Sequence, residues 1–220
     1  MPKLKPETVE ARREHILDAS ERCFARSGFH RTTMADICAE AKVSAGALYV
    51  HFESKEALIA GIVERDRTNL TDQFAEMAKA PDLTAAIGAL GEHYTFEQPQ
   101  YKRILNLEIA AEATRNENIA EIWMACDRFV IENLTNLIAD AQRDGRVNPV
   151  ASPEETARMI CVIGEGMFWR RAVDTELDGE SLMPIIMHAI ASLLRPTGTD
   201  DQTDFTAGPP QRVAELEQQS

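Results

Sequence analysis

The chain has 220 residues, 44% of them apolar, with 23 Lys or Arg against 36 Asp or Glu for a formal net charge of −13. This length and apolar content allow one large domain or two smaller ones with proper cores, and exclude a fibrous or wholly disordered chain. No apolar run reaches bilayer-spanning length and the opening MPKLKPETVEARRE lacks an apolar signal core, so a cytoplasmic protein without membrane contact is expected.

Residues 1–10 read as a flexible arm carrying Lys3 and Lys5. A first helix is predicted from Glu7 to Ser27, with Ile16, Leu17, Ala19, Ser20, Cys23 and Phe24 inward and Gly28 as its stop. Thr33 precedes Met34, Ile37, Cys38 and Ala41, whose spacing of three and four marks one buried helical face. Its hydroxyl suits an N-cap, and Asp36 adds negative charge near the positive helix end. Ser44 supplies a second cap only a few residues later, so the connection is a sharp corner between two helices. Ala45, Gly46 and Ala47 open the second helix with almost no bulk, Leu48 and Phe52 face inward, and Tyr49 and His51 project elsewhere. Ser54 caps the next helix with Lys55 in its first turn, where an ammonium and free amides together suit a phosphate. The helix-turn-helix, about residues 33–52, matches a unit whose second helix enters the DNA major groove by its N-terminal end.

Single caps and an inward Phe occur in any helical protein, but the combination is far more specific. With Gly28-Phe29, Thr32-Thr33, Ile37, Val43-Ser44, Gly46, Leu48-Tyr49, His51-Phe52, Ser54-Lys55-Glu56 and Leu58, the chain resembles the TetR family of bacterial transcriptional regulators. The match covers about the first quarter of the sequence, and Ala47 departs from it where many members carry Thr. The resemblance implies an all-α protein. Residues 11–71 would form the DNA-binding domain, 72–196 an effector-binding and dimerisation domain, and 197–220 a flexible tail. It also implies a homodimer on a palindromic double-stranded operator, repressing until a small-molecule effector releases it. The candidate DNA-binding residues are Thr32, Thr33, Ser44, Ala45, Gly46, Tyr49, His51 and Lys55.

The charge divides unevenly. Residues 1–55 hold nine basic and eight acidic side chains, and subtraction from the totals leaves fourteen against twenty-eight for 56–220. An acidic body repelled by phosphates favours an approach with the head toward the duplex, and argues against indiscriminate coating of DNA.

Past Lys55 a long helix carries Leu58, Ile59, Ile62, Val63, Leu70, Phe74 and Met77 to a break at Pro81-Asp82, making it the lever between head and body. Asp82 caps a helix through Leu83, Ile87, Leu90 and Tyr94, and Pro99 is placed in the first turn of the next, which ends near Arg115-Asn116. A further helix runs from about Glu117 to Asp144. Ser152-Pro153-Glu154-Glu155 reads as a capping box, and a last helix is predicted after Ser181. All prolines before position 197 are placed at helix ends or first turns.

The last two helices are apolar round more of their circumference than a surface helix needs. That fits a four-helix dimer interface through Met159, Ile163, Ile186, Ile190 and Leu193, or packing within one chain. In the middle, Glu108 and Glu112 lie one turn apart near Arg115, an arrangement more often a solvated ion-pair face than a pocket. As a pocket, it would bind a cation or amine together with Trp123, Asp127, Glu165 and Trp169. The five His, at 15, 30, 51, 93 and 188, show no metal-ligand pairing, and Cys23, Cys38, Cys126 and Cys161 lie far apart within helical patterns as reduced, buried thiols. No catalytic constellation can be assembled, so no enzyme activity and no cofactor are expected. The competing function is a DNA-binding architectural or division-control protein of the same fold that needs no effector.

Overall fold

The computed structural model describes residues 6–197; Lys3 and Lys5 of the expected arm, and 198–220 of the expected tail, lie outside the described residues. The described chain is all-α: α1 (Pro6–Ser27), α2 (Met34–Ala41), α3 (Ala45–Tyr49), α4 (Lys55–Met77), α5 (Leu83–Glu92), α6 (Gln100–Ala113), α7 (Glu117–Arg143), α8 (Pro153–Val173) and α9 (Gly179–Leu194). Its one β-type pairing, between Val147 and Pro196, ties the α7–α8 connection to the end of α9.

Short polar side chains set the helix starts by accepting amides that lack an intrahelical partner. Thr33, Ser44, Ser54, Asp82, Asn116 and Ser152 each accept from the third residue of the following helix. Two of these are reciprocal boxes: the Asp36 carboxylate accepts the Thr33 amide at 2.8 Å, and that of Glu155 accepts the Ser152 amide at 3.1 Å. Gly28 ends α1 at φ +78°, a left-handed conformation that costs glycine nothing.

Two apolar cores result. The first joins Ile16, Leu17, Phe24, Ile37, Leu48, Phe52, Leu58 and Ile62 of α1–α4 to Leu105, Ile109 and Ile119 of α6 and α7, so the head is seated on the body by continuous packing. The second gathers Phe74, Ile87, Leu134, Ile138, Ile160, Ile190 and Leu194 from α4, α5, α7, α8 and α9. Both α4 and α7 run through the two cores, and of these α4 begins within the helix-turn-helix head.

The structure departs from the sequence reading at two connections. Pro99 is the N-cap residue, one position outside α6, and α5 passes into a π-helical turn at His93–Glu97. Arg103, only 6% exposed, points its guanidinium at the carbonyls of Thr95 (3.2 Å) and Gln98 (2.5 Å), supplying donors to oxygens that the irregular turn leaves over. Asp178 accepts the Ser181 amide at 3.1 Å and starts α9 at Gly179, earlier than expected, which leaves Pro184 inside the helix and not in its first turn.

Candidate functional site

The head presents a small-residue surface on a rigid base. Leu48 is fully buried, which fixes the roll of α3 and turns Ser44, Ala45, Gly46 and Tyr49 outward, Tyr49 being 54% exposed. A Cβ built on Gly46 meets nothing within 4 Å, so the backbone here is open to a large partner. Thr33 stands exposed at the start of α2, and His51 is half-buried with its ring tilted against Phe52 at 6.3 Å between centroids. Two residues unremarked in the sequence reading share this face. Val50 is 81% exposed at the end of α3, and Lys42 is exposed in the left-handed C-cap of α2 at φ 52°. Lys42 was legible as the one base in the corner between the two helices; an exposed Val carries no such signal.

Two of the candidate DNA-binding residues are placed otherwise. Thr32 is 1% exposed, and its hydroxyl reaches the carbonyls of Cys23 at 3.1 Å and Gly28 at 2.8 Å, closing the α1–α2 turn from inside. The half-buried Lys55 donates to the Phe29 carbonyl and sits 4.3 Å from the centre of the Phe29 ring, so its ammonium is spent on pinning α4 to that turn.

Glu108 and Glu112 belong to the same junction. Glu108 Oε2 accepts the Phe29 amide at 3.4 Å and lies 3.1 Å from the position of a Cβ on Gly28. Glu112, 2% exposed, bonds His30 at 2.9 Å and Arg115 at 2.7 Å. These acids form neither a solvated face nor part of the main cavity; they clasp the α1–α2 turn to α6. Sequence spacing gave the helical pair but could not show a turn 79 residues distant folding onto it.

A second clasp lies deeper. The Glu21 carboxylate of α1 is fully buried and takes both Arg65 of α4 and Lys102 of α6, while Arg65 also bonds Glu14 at 2.9 Å and Asp18 at 2.8 Å. Lys102 reaches a further 3.6 Å to Asp66 of α4. Burial pushes the carboxyls of Glu21 and Asp66 up, and the neighbouring cations work against that rise. Burial by itself lowers the Arg65 pKa, but the carboxylates of Glu14, Glu21 and Asp18 outweigh it and hold the guanidinium charged.

Asp66 also lines a cavity of about 320 Å³ between α4, α5, α7, α8 and α9. Leu70, Phe74, Ile87, Val130, Ile160 and Met187 make most of it apolar. Of the candidate effector residues, Trp123, Glu165 and Trp169 line it, Asp127 lies half-buried beside it on α7, and Glu108 and Glu112 do not reach it. Desolvation pushes the Tyr94 hydroxyl and the Cys161 thiol each up to about 12. Burial first, and the charge of Asp127 second, push the Glu165 carboxyl up. All four cysteines are free, but only Cys23 is fully buried, the others being half-buried. Among the described residues no three His, Cys, Asp or Glu side chains are grouped to hold a metal ion, and no helix is long and apolar enough to cross a membrane.

Residues 16–62 match the family model described as bacterial regulatory proteins, tetR family. The HTH-type transcriptional regulator UidR of Escherichia coli K12 is 31% identical over 159 residues, covering 70% of this chain and 79% of that protein. The chain belongs to the TetR family of bacterial transcriptional regulators. The HTH-type transcriptional repressor Rv1474c of Mycobacterium tuberculosis is 33% identical over 172 residues, covering 78% of this chain and 88% of the relative. Among solved structures, Salmonella enterica GusR superposes with a TM-score of 0.75 at 29% identity, covering 87% of this chain and 98% of that one. This TetR-family chain therefore carries the DNA-binding helix-turn-helix of a transcriptional regulator, in a family of regulators and not of enzymes.

The outer surface of the TetR-family body carries an apolar stripe made of other residues than those expected from the sequence, Met159 apart. On α8, Met159 (47% exposed), Val162 (61%), Trp169 (37%) and Val173 (77%) follow one another at helical spacing with Gly166, and Ile185 (51%) is exposed on α9. Of the five expected interface residues only Met159 is on it. Ile190, 5% exposed, and Ile186 line the cavity, while Ile163 and Leu193 are partly buried against the second core. The periodicity of α9 admits two adjoining apolar faces about a third of a turn apart, and packing against α5 takes the one that holds Ile186 and Ile190.

Proposed function

We propose that the protein is a homodimeric, sequence-specific repressor, released from a palindromic operator by a small-molecule effector. The observation that carries this reading is that α4 serves two sites at once: Leu58, Ile59 and Ile62 are built into the core of the helix-turn-helix head, and Val63, Asp66, Leu70 and Phe74 of the same helix line the cavity. Repression is supported by the relative from Mycobacterium tuberculosis, which is named a repressor.

In this reading residues 11–71 are the DNA-binding unit and 72–196 the effector and dimer unit, with α4 crossing the boundary. Thr33 and Ser44 meet phosphates, and Ala45, Gly46 and Tyr49 enter the major groove, with Val50 placed for a thymine methyl and Lys42 for the backbone. His51 stands at the edge of the contact. Thr32 and Lys55 act from behind, by holding the turn on which the contact surface rests. Two copies pair through Met159, Val162, Trp169 and Val173 of α8 and Ile185 of α9, placing two heads about one helical turn of DNA apart.

An effector in the cavity touches α4 directly and releases DNA only through unequal affinity for the two head separations. The chain Asp66–Lys102–Glu21 offers a path for that preference, because a change at Asp66 alters the partner of a lysine that holds α1. The test is to capture fragments of the source genome on the purified protein at physiological salt and sequence what is retained. A few palindromic sites beside operons support a local regulator. Many scattered sites of no common context contradict it in favour of an effector-independent architectural role.

A further inference from the structure

Among the described residues, the cavity is lined by no Lys, Arg or His; its formally charged lining groups are Asp66 and Glu165. Asp66 is answered by Lys102 at 3.6 Å. Glu165 is not: no hydrogen bond or ion pair is made to it among the described residues, and the charge that bears on it is the like charge of Asp127. Trp123 stands one helical turn before Asp127 on α7, and Trp169 one turn after Glu165 on α8, so each acid shares a face with a tryptophan and the two helices pack together.

We propose that the effector is a hydrophobic organic monocation, an amine or quaternary ammonium on an apolar body, with its charge held at Glu165 beside Trp123 and Trp169; the assignment rests on the cavity being the effector site. The cavity wall sets an acid with no protein counter-charge in a partly desolvated place, a costly arrangement that a bound cation relieves. Indole faces attract cations more strongly than other aromatic rings do. A carboxylate or phosphate ligand at this end would instead meet Glu165, with Asp127 beside it, and no basic side chain of the lining to offset them. The remaining walls, from Leu70, Phe74 and Ile87 to Ile160, take the apolar body, and the volume suits a small ligand of drug-like size.

The chain has two tryptophans and both line this cavity, so quenching of intrinsic fluorescence reads its occupancy directly. Three nearly isosteric probes separate charge from shape: 4-phenylbutylammonium, 4-phenylbutanol and 4-phenylbutyrate, titrated into the full-length protein at neutral pH. The ammonium should bind at least about tenfold more tightly than the alcohol, and the carboxylate most weakly. In Glu165→Gln the ammonium should fall to the affinity of the alcohol, while the alcohol is unchanged; Asp127→Asn should lower the preference in part. If the alcohol or the carboxylate binds the unaltered protein as tightly as the ammonium, the charge assignment is overturned and the cavity remains a ligand site. If the preference survives in Glu165→Gln, Glu165 is not the counter-ion. If none of the three quenches at millimolar concentration, the cavity is not the effector site and both readings fall.

Discussion

A single buried charge on the outer face of α8 should dissociate the protein without unfolding it. Val162 is 61% exposed in the protomer and lies within the stripe from Met159 to Val173. Fully burying a Val side chain is worth roughly 1.5–3 kcal/mol, so covering the exposed part of Val162 contributes roughly 1–2 kcal/mol per copy. Two-fold symmetry doubles that to roughly 2–4 kcal/mol per dimer, a weakening of about 30- to 1,000-fold when the contact is lost. Val162→Glu adds the desolvation of one charge from each copy, so dissociation at micromolar concentration is expected. Sedimentation velocity would show a shift from dimer to monomer. Circular dichroism and the melting transition of the dissociated protomer would keep their helical character, because the side chain contributes little to either core. A dimer of unchanged sedimentation coefficient, with the glutamate in place, would place the interface elsewhere. By contrast, Ile190→Glu at 5% exposure puts a charge into the core and cavity wall, so its effect should be loss of folded protein.

Tyr49→Ala should weaken operator binding by about tenfold or more, in line with loss of one good groove contact, while leaving sedimentation unchanged; a mobility-shift titration with equal affinities would remove Tyr49 from the reading surface. Glu21→Ala removes the buried carboxylate shared by Arg65 and Lys102, which keep Glu14, Asp18 and Asp66, and should cost roughly 1.5–3 kcal/mol in urea denaturation; a loss below about 1 kcal/mol would show that the clasp between α1, α4 and α6 is not structural. The carboxyls of Asp36 and Glu155 are held below the ordinary range by hydrogen bonds from the side chain and backbone of Thr33 and Ser152. A pKa lowered by folding adds stability that is present above the ordinary carboxylate value near about 4 and is lost as pH falls through the depressed one. Ser152→Ala should therefore lower stability at neutral pH by about 1 kcal/mol and by less in acid, and an equal loss at both pH values would contradict the capping box at α8.

The local chemistry of helix starts was legible because it needs only neighbours in sequence. Thr33, Ser44, Ser54, Asp82 and Ser152 cap the helices that the sequence places after them, and Gly28 takes the positive φ expected of a stop. The head was legible for the same reason, its motif lying within one short stretch matched by the family model. Partners remote in sequence were not. Thr32 carries the chemistry of a phosphate contact but is turned inward to the carbonyls of Cys23 and Gly28. Lys55 meets the requirement for an anion site and is taken by Phe29. Glu108 and Glu112 have the spacing of a solvated pair until the α1–α2 turn lands on them. On α9 the sequence offers apolar residues all round, from Leu182 through Ile185 and Ile186 to Leu194, and only the position of α5 decides that Ile186 faces in and Ile185 out.

The central claim, that two such chains read one palindromic site, is tested most directly by stoichiometry. A captured genomic site, trimmed to its palindrome and labelled, would be titrated with protein and the complex mass measured by sedimentation. Two protomers per duplex are predicted, with Val162→Glu binding far more weakly and each half-site about one helical turn from the other. One protomer bound as tightly as two, or an open-ended series of complexes growing with duplex length, would contradict the account.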